Sequence, residues 1–166
     1  YLYTHYTEER LSFLANHRRV SEYDSENLTY SLIEAVLAEY PEFNHLGILC
    51  HTPLRNVIRD WSLLNEGEKR YIAHFSTHLD FLIISRVTKK PVLAIETDGF
   101  NYHNDATEQH QRDLKKDHIL ELYGLPLLRL KTNASGERDK ITSSLNKALG
   151  TARIDYNKIV IYPGCA

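Results

Sequence analysis

No methionine occurs anywhere in the chain, not even at its start, so the sequence reads as a piece excised from a longer protein. Cysteine is nearly as scarce. Cys50 and Cys165 stand far apart, with no CxxC or Cys/His spacing, which excludes a disulfide framework and a structural zinc site. Two unpaired thiols predict a reducing, cytoplasmic setting. No apolar run approaches the roughly 18 to 20 residues that span a bilayer, and Tyr1-Leu2-Tyr3-Thr4-His5 has neither the basic nor the apolar region of an export signal. A large charge of either sign is missing too. At a net charge of −2 any phosphate-bearing partner must be met by a local patch. Glycine-rich phosphate loops, internal repeats and low-complexity segments are also lacking.

What remains is 166 residues with 42% hydrophobic content, enough for one core and too short for two. We expect a single α/β domain over residues 24–150, preceded by an extension at 1–23 and followed by a tail at 151–166. Glu8 to Asn16 is compatible with a short helix. Asp24 or Ser25 would cap a helix that Pro41 closes, its apolar face formed by Leu28, Leu32, Ile33, Val36, Leu37 and Tyr40. At about 100° per residue, Glu34 falls outside that face, whereas Glu26 lies between Ile33 and Leu37 and points toward the body of the domain. As a first-turn acid, Glu26 also has a plain explanation in the helix dipole. His45 to His51 has strand composition, and Thr52-Pro53 predicts a helix running through Leu54, Val57, Ile58 and Trp61. Asn65 to Arg70 reads as a polar turn.

The chemistry concentrates between residues 78 and 117. His78 to Ile84 and Lys90 to Asp98 are two runs of strand length, separated by a short basic turn, that carry acids an ordinary apolar strand avoids. Period-two alternation places Val92, Ala94, Glu96 and Asp98 on one face and Leu93 and Ile95 on the other. Paired as an antiparallel hairpin, the strands would bring Asp80 across from Glu96 and Asp98, so three carboxylates would converge. After Gly99 comes a polar loop with Tyr102 and His103, then a helix from about Ala106 to Tyr123 with an apolar stripe of Leu114, Ile119, Leu120 and Tyr123 and a Gly124 cap. Pro126 to Lys131 is a short strand, parallel to the second acidic strand through the helical crossover, and Ile141 to Leu149 closes the domain as a helix. Carboxylates shown at adjacent strand ends suit a hard cation, Mg²⁺ or Mn²⁺, that can acidify a water and neutralise an attacked phosphodiester.

Asp80-Phe81, Ala94-Ile-Glu-Thr-Asp-Gly99, His103, Arg112-Asp113-x-x-Lys116-Asp117 and Gly124-Leu-Pro-Leu-Leu-Arg129 together resemble the restriction-endonuclease-like PD-(D/E)xK superfamily. The resemblance extends over about residues 24 to 131 and is closest to the domain found attached to DNA helicases, related to very-short-patch-repair endonucleases. Ser25-Glu26-x-x-x-Tyr30-x-x-Ile33-x-x-Val36-Leu37 resembles the helix that lends such sites a glutamate. The resemblance implies a central mixed sheet of four or five strands flanked by helices, and a metal-dependent DNA endonuclease within a larger protein such as a helicase. The alternative is a nuclease-like module that binds DNA without cutting it. Asp80 and Glu96 would hold Mg²⁺ or Mn²⁺, with Asp98 a third ligand or an acid behind them, Glu26 a ligand through water or a water-orienting group, and His103 a general acid or base. Lys116 and Arg112 would face the scissile phosphate, and Lys115, Arg129 and Lys131 the neighbouring backbone. Asp113 and Asp117 are expected to be structural. One departure stands out: Asp98 occupies the place where the superfamily motif carries lysine, and Lys116 is the nearest replacement.

Overall fold

In the computed structural model, residues 19–98, 106–131, 136–150 and 156–159 are described. Helix α1 (Asp24–Glu39) and a 3-10 turn (Pro41–Phe43) lead into strand β1 (Leu46–Pro53). Short helices α2 (Leu54–Val57) and α3 (Glu66–Ala73) precede β2 (His78–Ser85) and β3 (Pro91–Asp98). Helix α4 (Ala106–Leu122), β4 (Leu127–Lys131) and α5 (Glu137–Gly150) follow. The four strands form one mixed sheet in the order β1-β2-β3-β4, antiparallel except for the parallel β3–β4 pair.

The sheet is buried on both faces, which is why β2 and β3 can be almost continuously apolar. On one side Phe81, Ile83, Ile95 and Leu130 pack against Ile33 and Val36 of α1 and Ile141 and Leu145 of α5. On the other, Leu82, Ile84 and Ala94 meet Leu54, Val57, Ile72 and Ile119 from α2, α3 and α4. Strict alternation fails twice. Val92 joins Leu93 and Ile95 because the β2–β3 register shifts at Ile83/Ile84, and Leu79 joins Leu82 and Ile84 just before Asp80.

Several elements depart from the sequence expectations for identifiable reasons. Helix α1 starts at a Tyr23 cap without side-chain help; Asp24 pairs with Arg19, and Asn27 accepts the N–H groups of Val20 and Ser21. The helix expected through Trp61 stops at Val57, because Ile58 turns extended to bridge Ile159 and the Arg59 N–H donates to the Lys158 carbonyl. The chain beyond residue 150, expected as a tail, is thus tied to the core at 156–159. The polar stretch read as a turn is helix α3, started by a capping box in which Asn65 accepts the Glu68 N–H and Glu68 accepts the Asn65 N–H. Asn65→Ala should therefore cost about 1 kcal/mol, read as a lower urea midpoint at unchanged m-value. Leu114, expected on the inner stripe of α4, is instead exposed, while Ile119 and Leu120 are buried. Gly124 ends the helix at φ 72°, a left-handed conformation that glycine adopts without a Cβ penalty. The segment expected at Glu8 to Asn16 lies outside the described residues, as does Cys165. Cys50 is a free thiol, pushed up to about 11 by burial with Glu26 and Glu34 nearby, which keeps it unreactive at neutral pH. No helix among the described residues is long and apolar enough to cross a membrane.

Candidate active site

The ends of β2 and β3 open into a cleft of about 520 Å³ walled by α1, α3 and α4. The β2–β3 register pairs Phe81 with Ile95, so the next residues toward the cleft are Asp80 and Glu96. Both carboxylates are buried. Asp80 Oδ2 accepts the Thr97 N–H at 2.9 Å and the Thr97 hydroxyl at 3.2 Å, while the Asp80 N–H donates to Glu96 Oε1 at 3.2 Å. Lys116 extends from α4 and places its ammonium 3.1 Å from Glu96 Oε2 and 2.8 Å from the His78 carbonyl. Asp80, Glu96 and Lys116, predicted from three separate elements, are thus brought together.

Burial beside Asp80 raises the Glu96 carboxyl to about 7, and the Lys116 ammonium opposes that shift. The sign of the consequence follows from proton linkage. The folded state holds a proton on Glu96 between its ordinary value of 4.5 and about 7, whereas the unfolded state has already released it. Stability of the metal-free protein should therefore fall as pH rises through this window, by roughly 3 kcal/mol at full ionisation. Urea titrations from pH 5 to 8 should show this slope, and Glu96→Gln should flatten it.

Asp98 lines the same cleft as Asp80 and Glu96, and it pairs with a side chain of the neighbouring strand. β4 runs parallel to β3 with Arg129 in register with Glu96, and the Arg129 guanidinium lies 3.3 Å from Asp98 Oδ1. The same guanidinium pairs with Asp117 at 2.6 Å and with Asp113 at 3.6 Å. Burial raises the Asp98 carboxyl and Arg129 opposes the shift. Burial works against the Arg129 charge as well, yet Asp117, Asp113 and Asp98 more than offset it and hold the guanidinium above its ordinary value. The structural roles expected for Asp113 and Asp117 are therefore met as partners of Arg129. Arg129 also lines the cleft, where three carboxylates hold its guanidinium in place. Arg112 lines the cleft but is mostly exposed and paired only loosely with Glu108, and Lys115 and Lys131 are exposed. His103 lies outside the described residues.

Glu26 points inward as the helical wheel requires, whereas Glu34 is exposed. Its Oε2 accepts the Nε2–H of His51 at 2.7 Å. His51 sits within β1 at φ 50°, a left-handed conformation that costs a non-glycine residue about 1–3 kcal/mol and that gathers at functional sites. Its ring meets the His78 ring edge-on, with centroids 5.2 Å apart, and His78 Nε2 lies 3.7 Å from Asp80 Oδ1. Neither histidine stands out in the sequence as a site residue. The available signal was His78-x-Asp80, with His51 brought near by the β1–β2 register that pairs Pro53 with His78.

The charge balance of the cleft bears on its chemistry. Its lining sets five carboxylates (Glu26, Asp80, Glu96, Asp98, Asp113) against three fixed cations (Arg112, Lys116, Arg129). Among the described residues no three His, Cys, Asp or Glu side chains form a ready metal cage. A hard cation held by one or two carboxylates, with water and substrate oxygens completing its sphere, does not need one. Asp80 Oδ1 is the oxygen that Thr97 leaves open, and each Glu96 oxygen keeps a second lone pair. Asp80 and Glu96 are thus the side chains that could offer oxygens to such a cation.

Residues 22–149 match the profile of a family described as a protein of unknown function (DUF2726). The chain belongs to this family. The matched span of the DUF2726 domain contains every site residue placed above, from Glu26 on α1 to Arg129 on β4. No curated protein and no solved structure matches the chain.

Proposed function

We propose that this DUF2726 domain hydrolyses DNA phosphodiester bonds with the help of Mg²⁺ or Mn²⁺. The observation that carries the proposal is the meeting of Asp80, Glu96 and Lys116 at one end of the β2–β3 hairpin, in a cleft that they line together. In this reading the four-stranded mixed sheet is a restriction-endonuclease-like core, and the domain serves a larger cytoplasmic DNA-processing protein such as a helicase.

A bound divalent ion supplies an acidified water and neutralises charge on the attacked phosphate. Asp80 and Glu96 would hold that ion, and Thr97 fixes the orientation of Asp80 through Oδ2. Lys116 takes over the cationic role that Asp98 has vacated in the strand motif. Its ammonium, anchored on the His78 carbonyl, lies beside the carboxylates where a scissile phosphate would sit. Asp98 serves this arrangement by holding Arg129 against α4. Glu26 orients water across the cleft through His51, and His103 is the candidate proton-transfer group from the loop after β3. Arg112, Lys115 and Lys131 are the exposed cations available to the flanking backbone.

The second reading is a DNA-binding or docking module without catalysis, and the ion pair that closes Lys116 onto Glu96 favours it. Incubation of plasmid DNA with the purified domain separates the two. Nicked and linear products that require Mg²⁺ or Mn²⁺ and vanish with EDTA are expected for the nuclease. Salt-sensitive DNA binding with no cut product under either ion would leave the module.

A further inference from the structure

We infer that Phe75 and Arg55 form a stacking platform at the rim of the cleft, which takes an unpaired nucleobase together with its phosphate. The form of DNA bound is then one with a single-stranded stretch beside the cleft. The inference rests on the proposed DNA reading and adds the kind of DNA recognised. Phe75 follows helix α3 and stands between His74 and Ser76, both of which line the cleft, yet it is itself 68% exposed. An exposed apolar side chain by itself is ordinary. What sets Phe75 apart is the guanidinium of Arg55, whose central carbon lies over the ring, 3.4 Å from its centroid. Arg55 has no carboxylate partner among the described residues.

A guanidinium carries its N–H donors in its own plane, so stacking on a ring leaves those donors free to bind phosphate oxygens. With one face of the ring covered by Arg55, so high an exposure requires the opposite face to be open. Base and phosphate of one nucleotide thus find separate partners, the base on the open ring face and the phosphate on the guanidinium edge. The platform is pinned by its backbone. The Thr77 N–H donates to the His74 carbonyl at 3.1 Å and the Thr77 hydroxyl to the Tyr71 carbonyl at 2.8 Å, while the Thr77 carbonyl accepts the Leu54 N–H at 2.9 Å. That last bond continues the β1–β2 register, which pairs Pro53 with His78, and so brings Arg55 beside Phe75. Inside a duplex both faces of a base are covered by its neighbours, so a ring at the rim can stack only on a base that is unpaired and unstacked. A protein partner would also cover an exposed aromatic ring. The cation without a carboxylate, at the lip of a cleft proposed to take phosphodiesters, favours the nucleotide.

Fluorescence anisotropy with the whole chain tests this by binding alone, with Ca²⁺ in place of Mg²⁺ and strand integrity checked on a gel. The probes are labelled oligothymidine, an abasic strand of the same length, and a blunt duplex. Wild type should bind oligothymidine on the order of tenfold more tightly than the abasic strand, which offers the same phosphates without bases. Phe75→Ala should abolish that difference and leave duplex affinity unchanged, whereas Phe75→Trp should keep it. Arg55→Met should lower the slope of log affinity against log salt on single strands by about 0.7, one phosphate contact, and Phe75→Ala should not. Equal binding of oligothymidine and the abasic strand by wild type, or a difference that survives Phe75→Ala, would overturn the platform while leaving any plasmid cleavage as evidence for the nuclease. A chain that binds none of the three probes would overturn the DNA reading as well.

Discussion

Asp80→Asn should lower cleavage of DNA by at least about a thousandfold, the loss that follows when several kcal/mol of metal-borne stabilisation leave the transition state. The substitution is nearly isosteric and keeps the local fold. The asparagine carbonyl can accept the Thr97 N–H and hydroxyl now taken by Oδ2, and its amide can face His78 Nε2 in place of Oδ1. What disappears is the negative charge, which the cation needs and the backbone does not. Thermal unfolding within a few degrees of wild type, together with lost cleavage in single-turnover assays, separates a chemical defect from a folding one. Cleavage equal to wild type would remove Asp80 from the mechanism and with it the proposed site.

Among single substitutions, the largest expected loss of stability belongs to Arg129→Met. Arg129 is the shared cation of Asp98, Asp113 and Asp117, joining the end of β3 to two turns of α4. Removing it leaves three carboxylates facing one another around an apolar stem. Breaking a fully buried pair costs about 3–5 kcal/mol, and the partial exposure of these acids reduces the expectation to about 2 kcal/mol. The loss should shrink in high salt and at low pH, where the acids are screened or protonated. Asp117→Asn, which removes one of three partners, should cost less than about 1 kcal/mol, roughly the value of a single exposed pair. Urea unfolding of the two variants at low and high salt measures the difference. An unchanged midpoint for Arg129→Met would mean that solvent already satisfies the three acids.

What was legible in the sequence is what repeats locally. The helical period turned Glu26 inward and Glu34 outward, and the two-residue period of β2 and β3 together with a hairpin turn set Asp80 against Glu96. Lys116 reached the site because its place on the crossover helix follows from β3 and β4 being parallel neighbours. What was not legible depends on contacts between distant segments. Alternation tells which face Asp98 occupies but not that Arg129 on the adjacent strand would claim it, since that depends on register. The helix expected through Trp61 was cut short by pairing with Ile159 from the far end of the chain, which no local pattern announces. The Asn65–Glu68 capping box, by contrast, was present in the sequence as a polar residue followed three positions later by an acid. His51 and His78 are separated by a loop and two helices, and only the β1–β2 pairing brings their rings together.

Crystals of the domain soaked in Mn²⁺ and measured for anomalous scattering test the cation site most directly. An anomalous peak within coordination distance of Asp80 Oδ1, lost in Asp80→Asn crystals soaked in parallel, is the expected result. Soaked crystals with no peak between Asp80 and Glu96, and with Lys116 still seated on Glu96, would contradict a metal-dependent nuclease.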